Sequence, residues 1–259
     1  MFKQQGKQAL NYATGLTLYN LLLIGVYPTI SQSLVVTELA MNLPSSVKHV
    51  FGITSDHGLD SFESYVSTQC FGRVWLLVMG VYTIGMSDAL IAKLVDQGAM
   101  AYLLASPVGR QEVLSTQVTV LASGLALLIG LTILGIWGEV ALFNIPIDVG
   151  GYLRLGSLSF ALYLAIGSYS IFFSALFNEE EQTILWASGL TFLFYALDIF
   201  SGLNERYSWL KKLTIFGWVR PQKVLAGEVS AVPTLGLLGL SAIFITLAGY
   251  VFSKKDIHV

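Results

Sequence analysis

LSTQVTVLASGLALLIGLTILGIW, residues 114–137, runs for 24 positions without a charged side chain. A bilayer core of roughly 30 Å needs about 20 apolar residues as a helix, so this run is long enough to cross one. A membrane β-strand would alternate apolar and polar residues over about ten positions. This run is apolar on every face, and it reads as a spanning helix.

Five further segments meet the same length outward from it: 15–36, 71–92, 153–177, 182–203 and 232–252. Together they predict an all-α membrane protein with six transmembrane helices in a single transmembrane domain covering 1–259. Composition agrees. The chain is 54% hydrophobic and 12% charged with mean hydropathy +0.69, whereas soluble domains carry about 25% charged residues. A net charge of −2 and the absence of a basic, aromatic-interleaved patch speak against nucleic acid as a partner. The partner that composition does imply is membrane lipid. No small-residue cleavage pattern follows the first apolar run, so that run is expected to be retained.

The N-terminal residues carry Lys3, Lys7 and Asn11 at every fourth position, with Phe2, Ala9, Ala13 and Leu16 on another face. That pattern predicts a short interfacial helix before the first span, the alternative being a frayed terminus. Two connections, 37–70 and 203–231, are long and mix aromatic with charged residues. Trp209, Phe216 and Trp218 mark the second as an interfacial structure.

An even number of spans puts both termini on one side. With cytoplasmic termini, the inner segments hold Lys3, Lys7, Lys93, Arg110, Lys254 and Lys255. The outer ones hold Lys48, Arg73, Arg154, Arg206, Lys211, Lys212, Arg220 and Lys223. Positive charge therefore does not select an orientation.

Chemistry within the bundle is poorly provided for. Cys70 is the only cysteine, and His49, His57 and His258 all lie outside the spans. Ser–His dyads and histidine metal sites at depth thus lack their residues. His49 and His57 have Asp56 and Asp60 nearby, but without convincing metal-ligand spacing. Glu179, Glu180 and Glu181 read as a solvated acidic turn in a connection. Only Asp88 and Asp198 fall inside the expected spans, each near an end, where an ion-coupled carrier would place carboxylates closer to the midplane. Gly6-Lys7 is followed by Gln8, so no Walker A motif is present and nucleotide hydrolysis would fall to another chain. Ser170, Ser174, Gly124, Gly130 and Gly135 suit close helix packing.

The most unusual segment is KLVDQGAMAYLLASPVGRQEVLSTQ, residues 93–117, which is amphipathic and broken by Gly98, Pro107 and Gly109. Here the chain resembles the permease subunits of type-2 ABC transporters. In that family an acidic residue, a Gly and an "LLxSPVSR" segment follow the second span; this chain has Asp96, Gly98 and YLLASPVGR. The similarity continues in SALFNEEEQ (174–182), FGWVRPQKVLAGE (216–228) and the basic ending FSKKDI. Gly109 stands where the family commonly has Ser or Thr.

The resemblance implies a type-2 ABC exporter architecture, cytoplasmic termini in the cell membrane, and a cytosolic place for 93–113 and 178–182. It implies that a short helix at 96–113 docks on an ATPase subunit. Tyr102, Leu103 and Leu104 would make the apolar contact and Arg110 and Glu112 the charged rim, with Pro107 ending the helix, Ser106 extended before it, and Asp96 and Gly98 at its root. The alternative for this segment is an amphipathic loop on the inner membrane surface. Glu179, Glu180 and Glu181 would form a second cytosolic contact. The implied assembly is two permease subunits, identical or homologous, with two ATPase subunits that bind ATP and Mg; no cofactor is expected in this chain. The alternative function is an ion-coupled secondary carrier, or another polytopic membrane protein, without an ATPase partner.

Overall fold

The computed structural model describes residues 2–31, 62–100, 109–143, 147–177, 179–203, 205–228 and 230–254. Among these, the regular structure is helical throughout. The α-helices are α1 (Phe2–Ser31), α2 (Phe62–Gln69), α3 (Arg73–Leu90), α4 (Ala92–Asp96), α5 (Arg110–Phe143), α6 (Val149–Leu176), α7 (Glu180–Leu203), α8 (Pro221–Leu225) and α9 (Val232–Lys254). Short 3-10 turns at Glu205–Lys212 and Phe216–Trp218 join α7 to α8.

Five stretches are long and apolar enough to cross a membrane: Val74–Asp96, Arg110–Leu142, Val149–Leu176, Glu180–Leu203 and Val232–Lys254. Several overrun the expected boundaries, because an apolar count stops at the first charged side chain whereas a helix stops only where its hydrogen-bond ladder ends. α5, at 34 residues, is about 50 Å long at 1.5 Å per residue, well beyond the hydrocarbon core. Its extra turns carry Glu139 into the helix.

The first expected span is altered. α1 is one unbroken helix over 30 residues, so no turn separates a short interfacial helix from a span. Thr14 and Thr17 do not break it, since their hydroxyls donate back to the Leu10 and Ala13 carbonyls at 2.9 and 2.8 Å. Polar Tyr19, Asn20 and Tyr27 dilute its apolar surface, and α1 is not among the five membrane-length apolar stretches. Residues 32–36 of the expected span, and most of the 37–70 connection, lie outside the described residues.

The chain divides into two compact units. The first comprises residues 1–78, 128–159 and 194–231. Here α1 is tied to α2 by two tyrosines: Tyr65 donates to the Leu23 carbonyl at 2.8 Å, and Tyr19 donates to the Gln69 carbonyl at 3.0 Å. The Tyr27 ring packs on Phe62 and Tyr65, with centroids 5.1 Å apart in both pairs. Asp148 starts α6 by accepting the Gly150 and Gly151 N–H groups at 3.0 Å each, which satisfies donors a helix N-terminus leaves open. The described part of the 203–231 connection carries two 3-10 turns and α8. Phe216 is buried, Trp209 and Trp218 are exposed, and the Thr214 hydroxyl donates to the Phe194 carbonyl at 2.8 Å. Gly217 is required there, because a Cβ would overlap the Lys211 carbonyl oxygen.

The second unit comprises residues 79–127, 160–193 and 232–259. α6 is its core element: Ala161, Leu162, Tyr163, Ala165, Ile166 and Tyr169 are all buried. A Cβ on Gly167 would meet Leu121 and Thr83 side chains, so the missing side chain lets α3 and α5 close on α6, as small residues do in membrane bundles. Tyr169 and Phe172 meet the Phe244 ring of α9 at 6.1 and 5.9 Å.

Candidate functional site

The charged residues of the second unit gather where α3, α4, α5, α6 and α7 begin or end. α3 does not run straight into α4. The Ile91 N–H bonds to Asp88 O at 3.2 Å, three residues back, and Ile91 itself leaves helical geometry with φ −133° and ψ −69°. That leaves the Ala92 N–H without a carbonyl of its own helix. It donates instead to the Ser174 hydroxyl oxygen of α6, at 2.7 Å in a buried position. Ser174 therefore serves as a hydrogen-bond partner, where its small size alone had suggested packing.

α4 then runs for five residues and ends on Gly98, whose N–H bonds to Val95 O at 3.0 Å. Gly98 has φ +66°, the left-handed conformation that glycine adopts without strain at helix ends. The sequence placed a break at Gly98, and the geometry supplies its reason. Asp96 beside it is exposed, and Met100 beyond it is fully buried. Tyr102, Leu103, Leu104, Ser106 and Pro107 lie outside the described residues.

The chain is described again from Gly109, whose carbonyl accepts the Glu112 and Val113 N–H groups at 2.9 and 3.0 Å and opens α5. Arg110 reaches the Phe252 carbonyl of α9 at 3.4 Å. Glu112 is exposed in the first turn of α5, where a carboxylate is favoured by the helix dipole.

Of the acidic triplet, only Glu179 precedes a helix. Its carbonyl accepts the Thr183 N–H at 3.3 Å, and its carboxylate accepts from Gln182 at 2.7 Å. Glu180 and Glu181 form the first turn of α7, so the helix starts two residues before the expected span and the triplet is not simply a solvated turn. Glu180 accepts a hydrogen bond from Lys93 at 3.0 Å. Sequence reasoning passed over this pair. The signal available was that Lys93 and Glu180 both flank connections assigned to the cytosol. With 42% and 30% of the two side chains exposed, the pair is worth at most about 1 kcal/mol, so it fixes geometry more than it adds stability.

Two carboxylates sit at depth. Asp88 is 2% exposed with one oxygen lacking a hydrogen-bond partner among the described residues, and it lies within electrostatic reach of Glu180, Lys93 and Asp96. In the first unit Glu139 is 6% exposed, and neither of its oxygens has a described partner. Glu139 was missed because its span was expected to end at Trp137. Asp198, by contrast, is half-buried. No group of three or more His, Cys, Asp or Glu side chains suits a metal ion among the described residues; His49, His57 and His258 are not among them.

Membrane-length apolar helices, with charge confined mainly to their ends, define a multi-pass α-helical membrane protein. The chain belongs to the ABC-2 family transporter protein family, whose pattern matches residues 21–257. This is the family expected from the YLLASPVGRQEVLSTQ segment, and it makes the chain a membrane transport subunit that is not itself catalytic. Permeases of this family work with ABC ATPase partners. No curated protein matches the chain.

Proposed function

We propose that this chain is the permease subunit of an ATP-driven exporter, which dimerises to form the translocation path and receives energy from two separate ATPase subunits. ATP and Mg are bound by those subunits. The termini and the 96–113 connection lie in the cytosol, and the connection docks on the ATPase. Family membership carries this reading. The arrangement at the two ends of the connection supports it: α4 closes on Gly98, α5 opens at Gly109, and the first turn of α7 meets α4 through Glu180. A connection anchored at both ends can transmit a push, whereas a loop lying free on the lipid surface would dissipate it.

Purification from mild detergent tests the assignment. The full-length chain should bring an ATPase subunit with it, and transport in vesicles should require ATP hydrolysis. A second reading, an ion-coupled carrier, is favoured by the buried Asp88 and Glu139 carboxylates. Transport that follows an ion gradient without any ATPase would select it and overturn the exporter.

A further inference from the structure

We propose that Lys93, Ser174 and Glu180 form a joint that passes motion of the cytosolic connection sideways into α6 and α7, and not straight up α3. Lys93 and Ser174 are then positioning residues for coupling; the inference rests on the ATPase-coupled reading above. The ladder of α3 is interrupted at Ile91, where the Asp88 carbonyl has been taken by the Ile91 N–H. A helix interrupted in this way bends at the break more readily than it transmits a load, because the hydrogen bond that would carry the load is missing. α4 is instead fastened to two other helices. Its first N–H is held by the buried Ser174 hydroxyl of α6 at 2.7 Å, and Lys93, one residue on, is held by Glu180 in the first turn of α7 at 3.0 Å.

The electrostatics give Lys93 one strong preference. It faces the carboxylates of Glu180 and Asp88. Reversing its charge would place a third carboxyl group beside those of Glu180 and Asp88 at the root of α4. Exchanging the charges of residues 93 and 180 restores both the pairing and the overall charge balance.

The test uses the full chain in its co-purified ATPase complex, with spin labels at Gln97 and Phe192, both exposed, in a Cys70→Ala background. In the otherwise unmodified complex, the distance between labels should stay constant between the nucleotide-free and ATP–vanadate states, because α4 and α7 move as one body. K93E, and separately S174A, should broaden the distribution and make it shift with nucleotide. The K93E/E180K exchange should return it to a single unshifted peak, which also shows that the variant is folded. A distance that shifts with nucleotide in the unmodified complex, or stays constant in K93E, overturns the joint while leaving the exporter reading intact. Failure of any ATPase to co-purify overturns both.

Discussion

Replacing Glu139 by leucine should stabilise the protein. The carboxylate is 6% exposed, and both oxygens lack a described hydrogen-bond partner. A buried polar group left unsatisfied costs about 1–3 kcal/mol, and an apolar group of similar shape does not incur that cost. With a melting shift of roughly 2–4 °C per kcal/mol for a chain of this size, E139L should raise the midpoint by about 2–12 °C. E139Q, which removes the charge but keeps a polar amide, should gain less. The assay is thermal unfolding of the purified protein in one detergent, followed by tryptophan fluorescence. A lowered midpoint for both variants would refute the reasoning, since it would mean that the carboxylate is held by a partner. Transport by the same variants separates the two functional readings. A stabilised but inactive E139L would implicate Glu139 in moving cargo or ions; a stabilised and active one leaves it without that role.

Cys70 is fully buried, and burial first, with the Glu139 carboxylate second, pushes its thiol up to about 12. Maleimide should therefore leave the folded chain unlabelled at neutral pH and label it fully in SDS. Because the folded value lies above the ordinary 9.0, the associated stability is intact below pH 9 and is lost as pH rises towards 12, which alkaline melting curves will show. Gly217→Ala should cost about 1–3 kcal/mol, since its Cβ meets a backbone carbonyl and not a flexible side chain; an unchanged midpoint would argue against the close approach. Leu103→Asp with Leu104→Asp should uncouple ATP hydrolysis from transport while the bundle still melts cooperatively, and full coupling would remove the docking assignment. A cysteine at Gln97 should react with an impermeant reagent only from the cytoplasmic side, and outside labelling would invert the topology.

Apolar length made most of the helices legible, because a bilayer imposes its thickness directly on sequence. It placed α6 and α9 to within a few residues at each end and failed where the helix continued past a charge. The third span was cut at Trp137, although the α5 ladder runs on through Glu139 to Phe143. The helix break at Ile91 left no trace in composition, since isoleucine, alanine and leucine surround it. The N–H it frees is met by a tertiary hydrogen bond to Ser174, which no local pattern encodes. Gly98 was legible as a break, since it follows α4 in the left-handed conformation with φ +66°. What could not be read was that Lys93 and Glu180, 87 residues apart, choose each other. Pairing across helices depends on packing that single-span periodicity does not contain.

The buried hydroxyls show why the remaining polar residues carry more information. Thr83, Thr132, Ser170 and Ser241 each donate to the carbonyl one turn back in their own helix, at 2.6 to 2.8 Å. Such groups are satisfied wherever the helix goes, so their presence implies no neighbour and no function. A carboxyl group has at most one proton for its two oxygens, so Asp88 and Glu139 cannot satisfy both within their own helix and depend on what other elements bring to them. Asp88 has Lys93, Glu180 and Asp96 around it where α3 gives way to α4. Glu139 has no described hydrogen-bond partner at all. The first carboxyl group thus sits beside charged groups from other elements, and the second stands where leucine would serve the fold better. That contrast makes Glu139 the more telling residue to change: Asp88 has charged groups of other elements around it, whereas Glu139 is explained only by cargo, by an ion, or by a neighbour that the melting experiment would expose.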